Sequence, residues 1–269
     1  MSEPFQQMTD STLVLEKWQQ LIPGLKAGFT TRKGGFSAPP FDTLNLGLHV
    51  PDNSEDVITN RHRLADIIQT PLRSWVSGEQ THETNIHFAT DLDKGRGSTA
   101  YDTSLEQIDG LVTNHSGILC TAFFADCVPI FFLDPSTRYI GIAHAGWKGT
   151  VHRIGQKMID TMQTAGADLA DIRVVIGPSI SHDAYEVDER VIRHIPQSFI
   201  EKTVTARENN RFLLDLKQLN AEILLQHGIL RHNIDISNYC TFRDDHLFFS
   251  YRRDGGKTGR MLGYIGYDQ

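Results

Sequence analysis

A chain of 269 residues with a formal net charge of −7 can bury a substantial core, and its lack of Lys/Arg clusters argues against nucleic acid or an anionic membrane as the main partner. Its acidic and polar start lacks the basic-then-apolar pattern of a signal peptide, and no apolar run reaches bilayer length, so the expected location is the cytoplasm and the expected partner a small molecule or a protein. Three cysteines, Cys120, Cys127 and Cys240, are too sparse and odd a set for a disulfide framework, which fits a reducing compartment and leaves Cys127 as a free thiol or a ligand.

No Pro/Ser-rich or single-charge stretch divides residues 1–269, so one domain is expected. The first segments of note, 28–37 and 44–47, read as strand ends and turns, with Gly34 and Gly35 permitting positive backbone dihedrals. A helix is predicted over 54–69, with Ser54 as N-cap, Glu55 and Asp56 in the first turn, and Val57, Leu64 and Ile68 on one face. Arg61 falls on that apolar face, where an unpaired guanidinium would cost about 3 to 5 kcal/mol, so it requires a carboxylate, a carbonyl or a bound anion.

Residues 117–134 are almost continuously apolar and read as two buried extended pieces joined by a kink at Asp126-Cys127-Val128-Pro129. Pro129 would remove a ladder hydrogen bond from a central strand, which marks this step as a bulge or strand end. A short strand over 139–144 then leads into a glycine-bearing turn, 145–149, and a helix with Thr150 as N-cap, Val151, Ile154, Met158 and Met162 as its stripe and Gly166 as its stop. His144 thus sits at the carboxyl end of a strand facing a helix N-terminus, where loop amides can bind an anion. A helix over 214–227 stops at Gly228, and 247–252 with 259–265 reads as a hairpin around Asp254-Gly255-Gly256-Lys257.

Three of these segments each carry one metal ligand beside small or polar residues: His82 after Gln80-Thr81, Cys127 after Asp126, and His144 before Gly146-Trp147-Lys148-Gly149. Two imidazoles and one thiolate suit zinc and leave its fourth tetrahedral position open, as in a catalytic site. Taken singly, each has a bland reading: most of the twelve histidines serve at the surface or in ordinary hydrogen bonds, and a lone cysteine in an apolar run is most often core. The same residues without metal would make Cys127 a nucleophile and His144 its base, in a cysteine hydrolase or deamidase. A metal-binding protein without turnover is the third alternative.

The motifs GFTTRKGG, LNLGLH, Asn60-Arg61, QTHE, DGLVTN, ADCVP, AHAGWKGT, IGPSI, YEV, FSYRRDG and TGR follow one another over most of the chain. In this order they resemble the polyphenol oxidase or laccase-domain family, also called peptidoglycan editing factors and purine nucleoside phosphorylases. The resemblance implies an α+β fold, a single compact four-layer α/β/β/α sandwich with mixed sheets. It implies zinc bound by His82, Cys127 and His144, and phosphorolysis of adenosine, inosine, guanosine and methylthioadenosine with accompanying adenosine deamination. Purine nucleosides and phosphate are then the partners of a monomer or small homo-oligomer. Copper-dependent polyphenol oxidation with a role in peptidoglycan editing is the alternative; copper suits a His/Cys site, but no His-x-His pair of the kind that builds multicopper centres occurs in the sequence.

For such chemistry Cys127, His144 and Asp126 are the catalytic candidates, Asp126 as a proton shuttle beside a ligand, although strand neighbours often point to opposite faces. Asn45, Arg61 and the amides of 145–149 are candidates for sugar and phosphate, with Arg32, Arg252 and Arg253 as alternatives. Cys120 reads as core, Cys240 as core or site lining, His49, His87 and His182 as hydrogen-bonding residues, and Asp109-Gly110 as a turn before a strand.

Overall fold

The computed structural model describes residues 2–268. In chain order the elements are β1 (Gln6–Gln7), β2 (Thr12–Val14), α1 (Glu16–Leu21), β3 (Leu25–Thr30), α2 (Ser54–Ile67), β4 (Trp75–Ser77), β5 (Ile86–Phe88), β6 (Gly110–Thr113), β7 (Leu119–Phe124), β8 (Val128–Leu133) and β9 (Ile140–Ala145). They continue with α3 (Trp147–Val151), α4 (Ile154–Thr164), β10 (Arg173–Ile176), β11 (Glu186–Asp188), α5 (Glu189–Ile192), α6 (Gln197–Thr203), β12 (Val204–Ala206), β13 (Arg211–Leu214), α7 (Leu216–His227), β14 (Ile234–Ile236) and β15 (Met261–Tyr267).

The apolar run at 117–134 explains the architecture. Its two strands enter different sheets: β7 lies in a six-stranded sheet of order β1-β2-β3-β15-β7-β4, and β8 in a second of order β14-β10-β8-β9-β6-β5. Both strands are buried on both faces, so apolar residues occupy every position rather than alternate ones. Phe131 and Leu133 of β8 meet Cys120, Ala122 and Phe124 of β7 in a core between the sheets. The opposite face of β8, Val128, Ile130 and Phe132, packs on Ile154, Met158 and Met162 of α4 and on Leu219 and Ile223 of α7. The opposite face of β7, Leu119 and Phe123, packs with Trp75, Leu262 and Leu64 of α2. The expected helix, sheet, sheet, helix layering is therefore the observed one, with a three-stranded sheet β11-β13-β12 added at the side.

The kink falls where it was expected. Asp126 has φ +85°, and Pro129 enters β8 at its second residue, opposite His144, with its carbonyl accepting from Gly177 N at 2.8 Å.

Four local expectations need correction. The α2 cap is Asn53, whose side chain accepts from Glu55 N at 2.9 Å, so Ser54 is already helical. The helix after His144 starts at Trp147 with Gly146 as N-cap; Thr150 lies inside it and its hydroxyl receives Asn220 Nδ2 of α7 at 3.0 Å. Asp215 caps α7, accepting from Gln218 N at 2.9 Å, which delays the helix to Leu216. The C-terminal hairpin does not form: β15 pairs antiparallel with β3 on one side and β7 on the other, leaving no edge for 247–250. Phe248 and Phe249 fill the inter-sheet core instead. No helix among the described residues is long and apolar enough to cross a membrane.

Candidate metal centre

Each ligand candidate stands where regular backbone stops. His144 is the penultimate residue of β9, Cys127 follows the left-handed Asp126 immediately before β8, and His82, itself at φ +63°, lies in the connection between β4 and β5. The ligand atoms of His82, Cys127 and His144 all lie within 4.8 Å of one another, and Cys127 Sγ is 3.9 Å from His82 Nε2. Ligands on a tetrahedral zinc stand about 3.5 Å apart, from bonds of about 2.0 to 2.3 Å, so a small contraction brings the three onto one ion. The donor set and spacing therefore fit such an ion, with His144 buried, Cys127 half-buried and His82 exposed on the open side.

Asp109 holds this arrangement together. Its Oδ1 is 2.7 Å from His144 Nδ1 and also accepts from His82 N at 3.2 Å, while Oδ2 accepts from the backbone N–H groups of Thr81 and Glu83, each at 3.0 Å. One buried carboxylate thus fixes the ring that carries one ligand and the loop that carries another. With Nδ1 donating to Asp109, Nε2 is the His144 atom left to bind a metal, which would displace the proton it shares with the Cys127 sulfur. Burial pushes the Asp109 carboxyl up, but the hydrogen bonds and charge of His144 and the backbone N–H groups outweigh it, holding it below the usual carboxylate range.

The same balance activates the sulfur. Burial raises the Cys127 thiol, yet His144 and His82 bring it down to about 6. For His144, burial lowers the pKa, but the Cys127 thiolate and Asp109 raise it to about 9. The sulfur is thereby a thiolate near neutrality, the form that binds metal or attacks carbon. Cys120, on β7, shows the contrast: full burial pushes its thiol up to about 12. Gly146 permits the convergence, since a Cβ there would lie 2.8 Å from His82 Cδ2 and 3.2 Å from Cys127 Sγ.

The cluster lies at one side of a cavity of about 490 Å3, within the size range of small-molecule sites. Tyr101, Phe123, Trp147, Tyr185 and Tyr251 give it aromatic walls, and His49, Arg252 and Arg260 add polar and cationic groups. Gln80 fixes the Phe123 backbone, donating to its carbonyl at 2.9 Å and accepting its N–H at 2.7 Å.

The other predicted site residues are placed differently. Asp126 lines the cavity, but its carboxylate accepts from Thr241 Oγ1 at 2.7 Å, Ser250 Oγ at 3.0 Å and Arg252 N at 2.7 Å. It fastens the 241 and 250–252 segments to the cysteine turn, a structural task beside the expected proton role. Asn45 and Arg61 are absent from the lining. Asn45 accepts from Gly47 N at 3.0 Å and Arg260 N at 2.9 Å and donates to Asp52 at 2.9 Å. Arg61 donates to the carbonyls of Leu46, Gly97 and Ser98 at 2.8, 2.6 and 2.9 Å, and its guanidinium lies 4.7 Å over the Phe123 ring. Of its three possible partners the carbonyl is the one found, and burial lowers its pKa to about 9.

Arg32 is tied to Asp42, and Arg253 to the carbonyls of Thr241 and Phe248 and to Asp254. His87 pairs with Asp93 at 3.1 Å, and Cys240 is buried, its sulfur accepting from Ser181 N at 3.4 Å. Residues 145–149 are the end of β9 and the first turn of α3 rather than an open anion loop. The aromatic lining, Asp109 and Arg260 were not singled out as site groups from the sequence, and Gly146 was singled out only as part of the 145–149 amides. The signals for them were the glycine after His144-Ala145 and the Asp109-Gly110 and Thr258-Gly259-Arg260 motifs.

The family model described as multi-copper polyphenol oxidoreductase laccase matches residues 26–268. The purine nucleoside phosphorylase YlmD of Bacillus subtilis (strain 168) is 44% identical over 269 residues, covering 98% of this chain and 97% of that protein. Among solved structures, the hypothetical protein YfiH of Bacillus licheniformis superposes with a TM-score of 0.95 at 44% identity, covering 99% of this chain and 100% of that one. YlmD from Geobacillus stearothermophilus gives a TM-score of 0.93 at 41% identity over the whole of both chains.

Proposed function

This chain belongs to the multi-copper polyphenol oxidoreductase laccase family, and we propose that it is a zinc-dependent purine nucleoside phosphorylase. In this reading it cleaves adenosine, inosine, guanosine and methylthioadenosine with phosphate and also deaminates adenosine. The observation that carries it is the convergence of His82, Cys127 and His144 beside an aromatic cavity of nucleoside size, together with the names of the close relatives.

Zinc would be held by His82, Cys127 and His144, and when bound it supplies Lewis acidity at an open coordination position. The remaining work falls to the chain. Asp109 keeps the His144 Nδ1 proton in place and so keeps Nε2 turned to the centre. Phe123, Tyr101 and Tyr185 line the cavity and would give a purine aromatic surface to pack against. Copper fits the same donors, but a multicopper centre needs more imidazoles than the one three-residue group found among the described residues.

The low-lying Cys127 thiol beside His144 favours a second reading, a metal-free cysteine hydrolase or deamidase with Cys127 as nucleophile and His144 as base. One experiment separates the readings. Protein stripped of metal and titrated with zinc is incubated with inosine and with adenosine, with and without phosphate. Zinc- and phosphate-dependent release of free base is the expected result, and phosphate-independent conversion of adenosine to inosine reports the deaminase. Activity that survives chelation but dies on alkylation of Cys127 overturns the zinc reading in favour of the hydrolase.

A further inference from the structure

Three motifs remain outside the metal centre: 44–49, Asn60-Arg61 and 258–260. The structure brings all of them to one place. Asn45 Oδ1 receives the backbone N–H of both Gly47 and Arg260, and Leu46 N donates to the Arg260 carbonyl at 3.1 Å, which locks the two segments together. Asn60 Nδ2 holds the same loop through the Asn45 carbonyl at 2.9 Å and the Thr43 carbonyl at 3.2 Å, and Arg61 Nε holds it through the Leu46 carbonyl. Gly47 gives this packing its room, because a Cβ there would lie 2.8 Å from Arg260 Cγ and 3.2 Å from His49 Cε1 and would push both side chains aside.

The product of this scaffold is one guanidinium and one imidazole on the cavity lining. Arg260 Nη1 donates to the carbonyls of Thr258 and Gly259 at 2.8 and 3.0 Å. Among the described residues Nε and Nη2 have no hydrogen-bond partner and no carboxylate pairs with the group, although burial already disfavours its charge. His49 is exposed toward the cavity, and enclosure by its walls together with the charges of Arg260 and Arg61 lowers its pKa below the usual imidazole range, which keeps the ring neutral. A fixed cation with a free N–H edge beside a neutral imidazole donor suits an oxyanion. Arg252, the other arginine on the lining, has its Nη1 on the Glu186 carbonyl at 2.7 Å and lies over the Tyr185 ring, as Arg260 lies over Tyr251, but it is exposed where Arg260 is half-buried and no such scaffold holds it.

We propose that Arg260 and His49 form the seat of the phosphate co-substrate, an inference that rests on the phosphorylase reading above. Asn45, Asn60 and Arg61 then act on phosphate only by holding these two groups in position.

The test uses zinc-loaded full-length protein, inosine and inorganic phosphate, with steady-state kinetics, metal analysis and calorimetric titration of phosphate. Arg260→Gln should raise the KM for phosphate about 30-fold or more, as loss of a charge-assisted contact predicts. The KM for inosine should change far less and zinc content not at all. Arg260→Lys should recover part of the loss, and Gly47→Ala, which leaves the guanidinium present but displaced, should move the phosphate KM in the same direction. An unchanged phosphate KM in Arg260→Gln, or an equal rise in the KM for inosine, overturns the seat while leaving the phosphorylase reading intact. If the wild type releases no base with phosphate, that reading fails by itself. Calorimetry then decides the seat: phosphate binding lost in Arg260→Gln supports it, and equal binding, or none in either protein, overturns it.

Discussion

The His82, Cys127 and His144 cluster lies on the cavity and the Asn45 and Arg61 wall lies behind its lining; both consist of polar groups set among apolar ones, yet their side chains face opposite obligations. In the cluster, Asp109 takes up one nitrogen of His144 and leaves the other nitrogen, the sulfur and the His82 ring directed at a shared point. In the wall, Asn45 directs its donors and acceptors at backbone groups and at Asp52, and the buried Arg61 directs Nε and Nη1 at three backbone carbonyls. A buried polar residue is a site when part of its bonding capacity faces the cavity, and a strut when the backbone consumes it.

The sharpest way to break this contrast is Cys127→Ala. Zinc stoichiometry should fall well below one and phosphorolysis by at least about 1,000-fold, a transition-state loss of about 4 kcal/mol, while circular dichroism stays native. Retention of zinc and full turnover would remove the cysteine from the centre. Arg61→Met should do the reverse. By leaving three carbonyls without their donor it should cost about 3 kcal/mol of stability in denaturant titration, with the zinc content of the folded fraction unchanged. Loss of zinc at unchanged stability would show that the wall belongs to the centre.

Asp109→Asn tests the link between ligand and support. Zinc affinity, read by competition with a chelator, should weaken about 10- to 100-fold. Because its carboxyl is held below the usual range in the folded protein, Asp109 contributes stability that is present above the ordinary carboxylate pKa and lost as pH falls through the folded value. The variant should therefore lose stability near neutral pH and show a flatter acid limb; an identical acid limb would assign that pH dependence elsewhere. The smallest effect is expected for Cys120→Ala, about 1 kcal/mol of stability with zinc unchanged, since this thiol is packed between the sheets. A change in zinc stoichiometry there would erase the distinction between the two cysteines.

The His82, Cys127 and His144 cluster was legible because metal chemistry depends on residue type, and His, Cys and His in polar, glycine-rich company suggest one candidate centre. The supports were not. Asp109 reads locally as a turn former, since nothing in its neighbourhood announces that its carboxylate meets His144 from another strand. The fastening task of Asp126 was not legible either: its left-handed backbone and the hydroxyls of Thr241 and Ser250, from a distant segment, take up its carboxylate. His49 and Arg260 carry no local mark, because what distinguishes them is a loop held by Asn45 across the molecule.

The sequence by itself determined the two doubly buried strands of the apolar run, the helical stripes that cover the outer faces, the kink that exposes Cys127 and the chemical identity of the three donors. These follow from local periodicity and side-chain chemistry. The tertiary structure alone decided that β15 is inserted between β3 and β7 rather than paired in a hairpin, that Asp109 orients His144, and which arginines face the cavity. Those outcomes depend on which long-range hydrogen bonds each buried polar group finds, and that competition is resolved only when distant segments are packed together.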